Sequence, residues 1–233
     1  MAKRRTSGIQ RRERASAEAL GRRLDAPRAG SGLPDWRLLL IGGVVVVGLL
    51  ILALVILFGS GPNPNEGIQH RDDGTTHTAV GADCRDPAQQ NASTNCGTDP
   101  YSSLPATSGP HWDVSGIANW GVYSTPQPET QLIHNLEHGG IVIWYDPERL
   151  DAEGIDALTS YVGAQVASGM SGRYKFILSP WGGGDPLPAP VVATAWRYSL
   201  ELETADTDAL DGFARARYQR GSPEPNGGPG PPG

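Results

Sequence analysis

The sequence predicts an α+β fold: a small mixed β-sheet with two or three packed helices and a loop-rich first half that contains the histidines, preceded by one transmembrane helix. Three observations carry that expectation. The 21-residue run Leu38–Phe58 has no charge. After residue 140, apolar β-prone runs alternate with a helical period. Residues 66–128 are rich in Gly, Pro, Ser, Thr and Asp, which interrupt long elements.

In chain order, residues 1–37 form a basic tail. They hold ten of the 19 Lys and Arg against four acids, so the tail is +6 and the rest of the chain −12. As a helix, the apolar run would span about 31 Å, close to the hydrocarbon thickness of a bilayer. A cleaved signal peptide would have a shorter apolar stretch and a less extended leader. Residues 38–58 are therefore expected to remain as an anchor in membrane lipid. Arg4, Arg5, Arg11, Arg12, Arg14, Arg22, Arg23 and Arg37 place the N-terminus in the cytoplasm. That makes the chain a single-pass protein of the plasma membrane with its main domain extracytoplasmic. The membrane accounts for the basic tail more economically than nucleic acid does, and no nucleic-acid partner is expected.

Residues 59–66 read as a linker, 67–220 as the extracytoplasmic domain and 221–233 as a disordered Gly/Pro tail with nothing to bury. Cys84 and Cys96 are the only cysteines and bracket a polar stretch without period. Outside the cytoplasm they are expected to form a disulfide. A two-thiolate metal pair would favour the shorter C-x-x-C spacing.

Ile141–Tyr145 reads as a buried strand. Asp146-Pro147-Glu148 signals a helix start, and Leu150, Ile155, Leu158, Val162 and Val166 give that helix one apolar face, ending near Gly169. Tyr174–Leu178 is a second strand, stopped by Ser179-Pro180. Strand, helix, strand in that order imply a parallel crossover of right hand. Val191–Leu202 reads as one longer strand able to return antiparallel, and Asp206–Tyr218 as a closing helix.

All five histidines lie between His70 and His138. His134 and His138 are four apart on a stretch that can be helical from Glu129, with Pro128 before it and Gly139 suited to the left-handed C-cap. Two imidazoles at that spacing can share a metal ion, and Glu137 offers a carboxylate to orient a ligand or activate water. His-x-x-Glu-His is also a zinc-hydrolase pattern, although here Gly139-Gly140 and a β-run follow at once. As a purely structural alternative, both histidines could sit hydrogen-bonded at a helix end. Ser108, His111 and Asp113 lack the strand-turn-helix setting of a nucleophile elbow, and Gly182-Gly183-Gly184 lacks the helix and lysine of a phosphate loop. Trp112, Trp120 and Trp181 could form a binding surface, with core packing the default.

The blocks Pro105-Ala106-Thr107-Ser108-Gly109-Pro110-His111, Gly121-Val122-Tyr123 and Leu132-Ile133-His134-Asn135-Leu136-Glu137-His138-Gly139 resemble the successive signatures of the bacterial domain of unknown function 3105 family. Ala195-Trp196 and Pro223-Glu224 resemble later ones. The resemblance runs from about His77 to Ser222. Members are typically single-span membrane proteins of uncertain function, so it implies architecture and compartment rather than activity. His77, His111, His134 and His138 stand where the family pattern has His. Ala106 departs from a Pro, and the cysteine-bracketed insertion is not part of the pattern.

Four imidazoles suit zinc or Cu(II), whereas Cu(I) would prefer thioether or thiolate. The first functional expectation is thus an extracytoplasmic metal-binding domain with His77, His111, His134 and His138 as ligands, Glu137 beside them, and His70 outside the site. The second is a non-enzymatic module that docks another cell-envelope protein. The third is a metal-dependent hydrolase in which Glu137 is the catalytic base. A shared site requires His111, His134 and His138 to converge, with His77 joining, at one edge of the sheet.

Overall fold

The computed structural model describes residues 44, 46–48 and 66–232. The expected cytoplasmic tail, most of the expected anchor and nearly all of the linker lie outside the described residues. Val44, Val46, Val47 and Gly48 are helical. Among the described residues no helix is long and apolar enough to cross a membrane.

Within residues 66–232 the elements are β1 (Ile68–Gln69), β2 (His77–Thr78), β3 (His111–Trp112), β4 (Gly121–Val122), α1 (Glu129–Glu137), β5 (Ile141–Tyr145), α2 (Ala152–Ala167), β6 (Phe176–Pro180), β7 (Val191–Ala195), β8 (Tyr198–Leu202) and α3 (Thr207–Arg217). The fold is α+β with a mixed six-stranded sheet, ordered β1-β8-β7-β5-β6-β4, and a separate β2-β3 pair. As the crossover argument requires, β5 and β6 are parallel across α2, and β7 returns antiparallel to β5.

The apolar run of β5 has a two-sided explanation. Val142 and Trp144 point into one core with Leu132, Ile133 and Leu136 of α1, while Ile141, Ile143 and Tyr145 point into another with Leu158, Val162 and Phe213. Alternation puts successive side chains on opposite faces, and here both faces are covered. Helix α1 therefore sits on one face of the sheet and α2 and α3 on the other.

Several boundaries differ from the sequence reading. Val191–Leu202 is a hairpin, with Ala195 opposite Tyr198 and a turn at Trp196-Arg197. Arg197 adopts a left-handed φ of +64°. No Gly or Asn announces the turn, whose backbone is held from outside: Arg197 N–H donates to Thr107 O and His70 N–H to Arg197 O. Asp146 caps only a turn, accepting from Glu148 N–H, and the cap of α2 is Asp151, which accepts from Gly154 N–H at 2.8 Å. Strand β6 begins at Phe176 and runs through Ser179 and Pro180. Cys84 and Cys96 form the expected disulfide and are buried in the α1-side core.

The C-terminal tail departs most from expectation. It adds no residue to either apolar core, yet its backbone is bound from Glu224 to Pro229. Glu224 N–H donates to Glu137 O at 3.0 Å. Lys175 Nζ donates to Pro225 O and Gly227 O, and Trp120 Nε1 to Pro229 O. Residues 222–229 form a strap across the end of α1.

Candidate metal centre

Leu132, Ile133 and Leu136 bury one stripe of α1 against the sheet, which fixes the roll of the helix. That roll aims His134 and Glu137, one turn apart, at β3. The helix stops because Gly139 turns left-handed at φ +78°. A Cβ there would lie 2.8 Å from Gln219 Cα, and one at Gly140 2.5 Å from the Trp120 ring. Both glycines are needed for the chain to turn at once into β5. Because β5 lies between β6 and β7, the cluster sits off the start of an interior strand and not at a sheet edge.

The parallel pairing of β2 with β3 sets His77 directly opposite His111, and register partners present their side chains to the same face. The ring centroids of His77 and His111 are 4.9 Å apart, those of His111 and His134 4.9 Å, and those of His77 and His134 5.3 Å. Glu137 Oε2 faces all three rings, 3.1 Å from His111 Nε2, 3.7 Å from His77 Nε2 and 3.9 Å from His134 Nε2. One ligand atom from each of the four residues falls within 4.8 Å of the others. His111, His134 and Glu137 are buried, whereas the His77 side chain is 51% exposed and forms the solvent side of the cluster.

The proton positions follow from the partners. His111 Nδ1–H donates to Gly109 O at 2.8 Å and His134 Nδ1–H to Trp112 O at 2.6 Å. A carbonyl can only accept, so in each neutral ring the lone pair is on Nε2, the nitrogen turned toward Glu137. Backbone carbonyls that orient imidazoles in this way are the usual outer partners of metal-binding histidines. At His134 burial outweighs the Trp112 hydrogen bond and lowers the pKa below 6.5, with His111 and His138 adding to the effect. Burial would raise Glu137, but His111, when protonated, donates to it from Nε2, and this bond together with the charge of the neighbouring imidazoles when protonated prevails and holds Glu137 below the ordinary carboxylate value.

His138 caps α1 and stands apart from this group. Its ring stacks on that of His134 at 4.9 Å, and its Nδ1 meets Glu224 O at 3.1 Å and Glu224 Oε2 at 3.7 Å. It belongs to a second set with Glu137 and Glu224. The two histidines of His-x-x-Glu-His thus fall in different sets, and Glu137 takes the place the sequence reading assigned to His138. His70 is remote, bonded to Ser199 Oγ at 2.8 Å.

Three contributors were missed in the sequence. Arg85 grips Glu129 at both oxygens, at 2.6 and 3.0 Å, and ties the disulfide loop to the first turn of α1. Asn95 Nδ2 donates to His77 O at 2.9 Å. Lys175, 2% exposed, donates to His138 O, Pro225 O and Gly227 O, and burial lowers its pKa. A lysine within a β-prone run could have signalled a buried cation; nothing in the sequence pairs Arg85 with Glu129. Ser108 is engaged by Asp73 N–H and Arg71 O and forms no triad. Trp120 is core, while Trp112 and Trp181 line a groove of about 600 Å³.

A family model described as a protein of unknown function (DUF3105) matches residues 93–229. The match covers His111, α1, Lys175 and the strap, and begins after His77. No curated protein and no solved structure matches the chain.

Proposed function

The chain belongs to the DUF3105 family, whose description names no activity, and from that premise we propose that its domain binds a divalent transition-metal ion, zinc or copper, through His77, His111, His134 and Glu137. One observation carries this reading. The Nδ1–H of His111 is committed to Gly109, so a lone pair on Nε2 faces the Glu137 carboxylate at 3.1 Å. Two acceptors at that distance repel unless a proton or a metal ion lies between them. His134 turns a second such nitrogen toward the same oxygen. Three imidazoles and a carboxylate suit zinc or Cu(II).

The half-exposed His77 is the side from which an ion enters and at which an outside ligand can reach it. With Glu137 among the ligands, the hydrolase reading loses its free general base. Residues 38–58 anchor the domain outside the cytoplasm in this proposal, a compartment in which the disulfide is stable. The groove beside Trp112 and Trp181 is what favours the second reading, a module that docks another envelope protein.

Elemental analysis of the full chain, purified without chelator and then titrated with zinc or copper, tests the proposal. Bound metal that is lost in His134→Ala while the fold remains supports it. A chain that holds no metal and takes none up overturns it. Loss of fold in His134→Ala, in a chain that never bound metal, favours the docking module.

A further inference from the structure

We infer a second cation position, held by Glu137, His138 and Glu224 and sharing the Glu137 carboxylate with the first. The inference rests on the metal-binding reading above and extends it to a two-ion centre.

Two carboxylates and an imidazole bring one ligand atom each within 4.8 Å of one another. Glu137 is buried. Among the described residues no Lys or Arg forms an ion pair with Glu137 or Glu224; their ion-pair partners are histidines. Lys175 is near but spends all three N–H groups on carbonyl oxygens. Two carboxylates this close, with imidazoles as their ion-pair partners, form a site whose charge a divalent cation can neutralise. One oxygen of Glu137 is directed at His77, His111 and His134, and a carboxylate has a second to offer. Carboxylate-bridged ion pairs of this kind are common in metal-dependent proteins, with about 3.5–4 Å between the ions.

The strap is built to deliver Glu224. Its N–H donates to Glu137 O and its C=O accepts from His138 Nδ1–H, so both backbone groups of that residue are registered on the end of α1 and the lone pair left for an ion is on His138 Nε2. Lys175 pins the next turn of the strap. Gly227 and Gly228 lie against the His138 ring so closely that a Cβ at Gly227 would be 2.2 Å from Nδ1. The Glu224 side chain itself remains 61% exposed, open to solvent for an ion to reach. Richer in oxygen than the first set, this position takes a harder divalent cation more readily, manganese or zinc.

Equilibrium dialysis of the full chain against zinc, with metal counted per chain, tests the inference. Two equivalents in the native protein and one in Glu224→Gln, with the tighter equivalent unchanged, is the expected result. Glu224 is exposed, so this variant leaves the core intact. A native protein that saturates at one equivalent, or a Glu224→Gln variant that still binds two, overturns the second position and leaves the first standing. No bound zinc at all overturns both, through the failure of the metal-binding reading itself.

Discussion

Strands β5, β6 and β7 are buried along their whole length, whereas β1 to β4 are two residues each and buried only in part. The sheet half is ordered by apolar burial on two faces, which needs no ligand and no cross-link. The loop half adds Cys84, Cys96, Tyr101, Ala106 and Trp120 to the α1-side core and is otherwise ordered by point contacts. These are the Cys84–Cys96 bridge, the Arg85–Glu129 pair, Asn95 on the backbone of His77, and Asp73, which accepts from Ser102 at 2.8 Å. Two of the four proposed ligands, His77 and His111, come from this half. The contrast teaches that metal and order should be coupled there and independent in the sheet, since an ion that binds only the folded site stabilises the elements that form it.

The largest effect expected is on the sheet side. Phe176 is fully buried between α2 and α3, and Phe176→Ala should cost about 4 kcal/mol. Denaturant unfolding measures it, and added zinc should not restore the difference. Next comes the loop half: replacing both Cys84 and Cys96 by Ser should cost about 3 kcal/mol on the chain-entropy account. Hydrogen exchange should show the loss in residues 77–112 with β5–β7 still protected; equal loss in both halves would end the contrast.

Acidification should separate the halves in the same way. His134 and Glu137 both titrate below their ordinary values of 6.5 and 4.5, so the unfolded chain takes up protons first as pH falls. Their stabilising contribution is fully present above pH 6.5 and is lost as pH drops through the two lowered values. Protection of residues 77–112 in the metal-free chain should therefore decline from about pH 6 downward, ahead of β5–β7, and zinc should move the decline to lower pH. Protection that is flat through this range would contradict the assignment of His134 and Glu137 to a proton-free site. The smallest effect is at Asn95. Asn95→Ala frees the His77 carbonyl and should weaken zinc binding about tenfold, as other outer partners of metal ligands do. Competition with a fluorescent chelator measures that, and unaltered affinity would mean that the β2–β3 ladder alone holds His77.

What could be read in the sequence follows the same division. The run Ile141–Tyr145, the face Leu150 to Val166 and the cysteine pair announce themselves because burial and covalent bonding depend on residue type. The β2–β3 pairing does not, since two-residue strands have no period to detect. Helical spacing put His134 near both Glu137 and His138, at three and four residues. The choice between them depends on how Leu132, Ile133 and Leu136 roll α1 onto the sheet, which only the assembled core decides. Val191–Leu202 read as one strand because its turn uses an arginine whose unusual backbone is stabilised by Thr107 and His70, both distant in sequence. The strap was invisible because it acts through carbonyl oxygens, which every residue has.

That strap also fixes an order of events. A chain grows from its N-terminus and its early segments can fold while the rest is being made. By the time residue 220 has emerged, the sheet, α1 to α3, the disulfide loop and His77, His111, His134 and Glu137 are present. Glu224, and the carbonyls of Pro225 and Gly227 that receive Lys175, are still to come. Until they arrive, the Lys175 ammonium lacks two of its three acceptors and His138 lacks its cover. The proposed centre is therefore completed by residues made after the sheet, and a truncation within the Gly/Pro tail would alter the site while leaving the sheet intact.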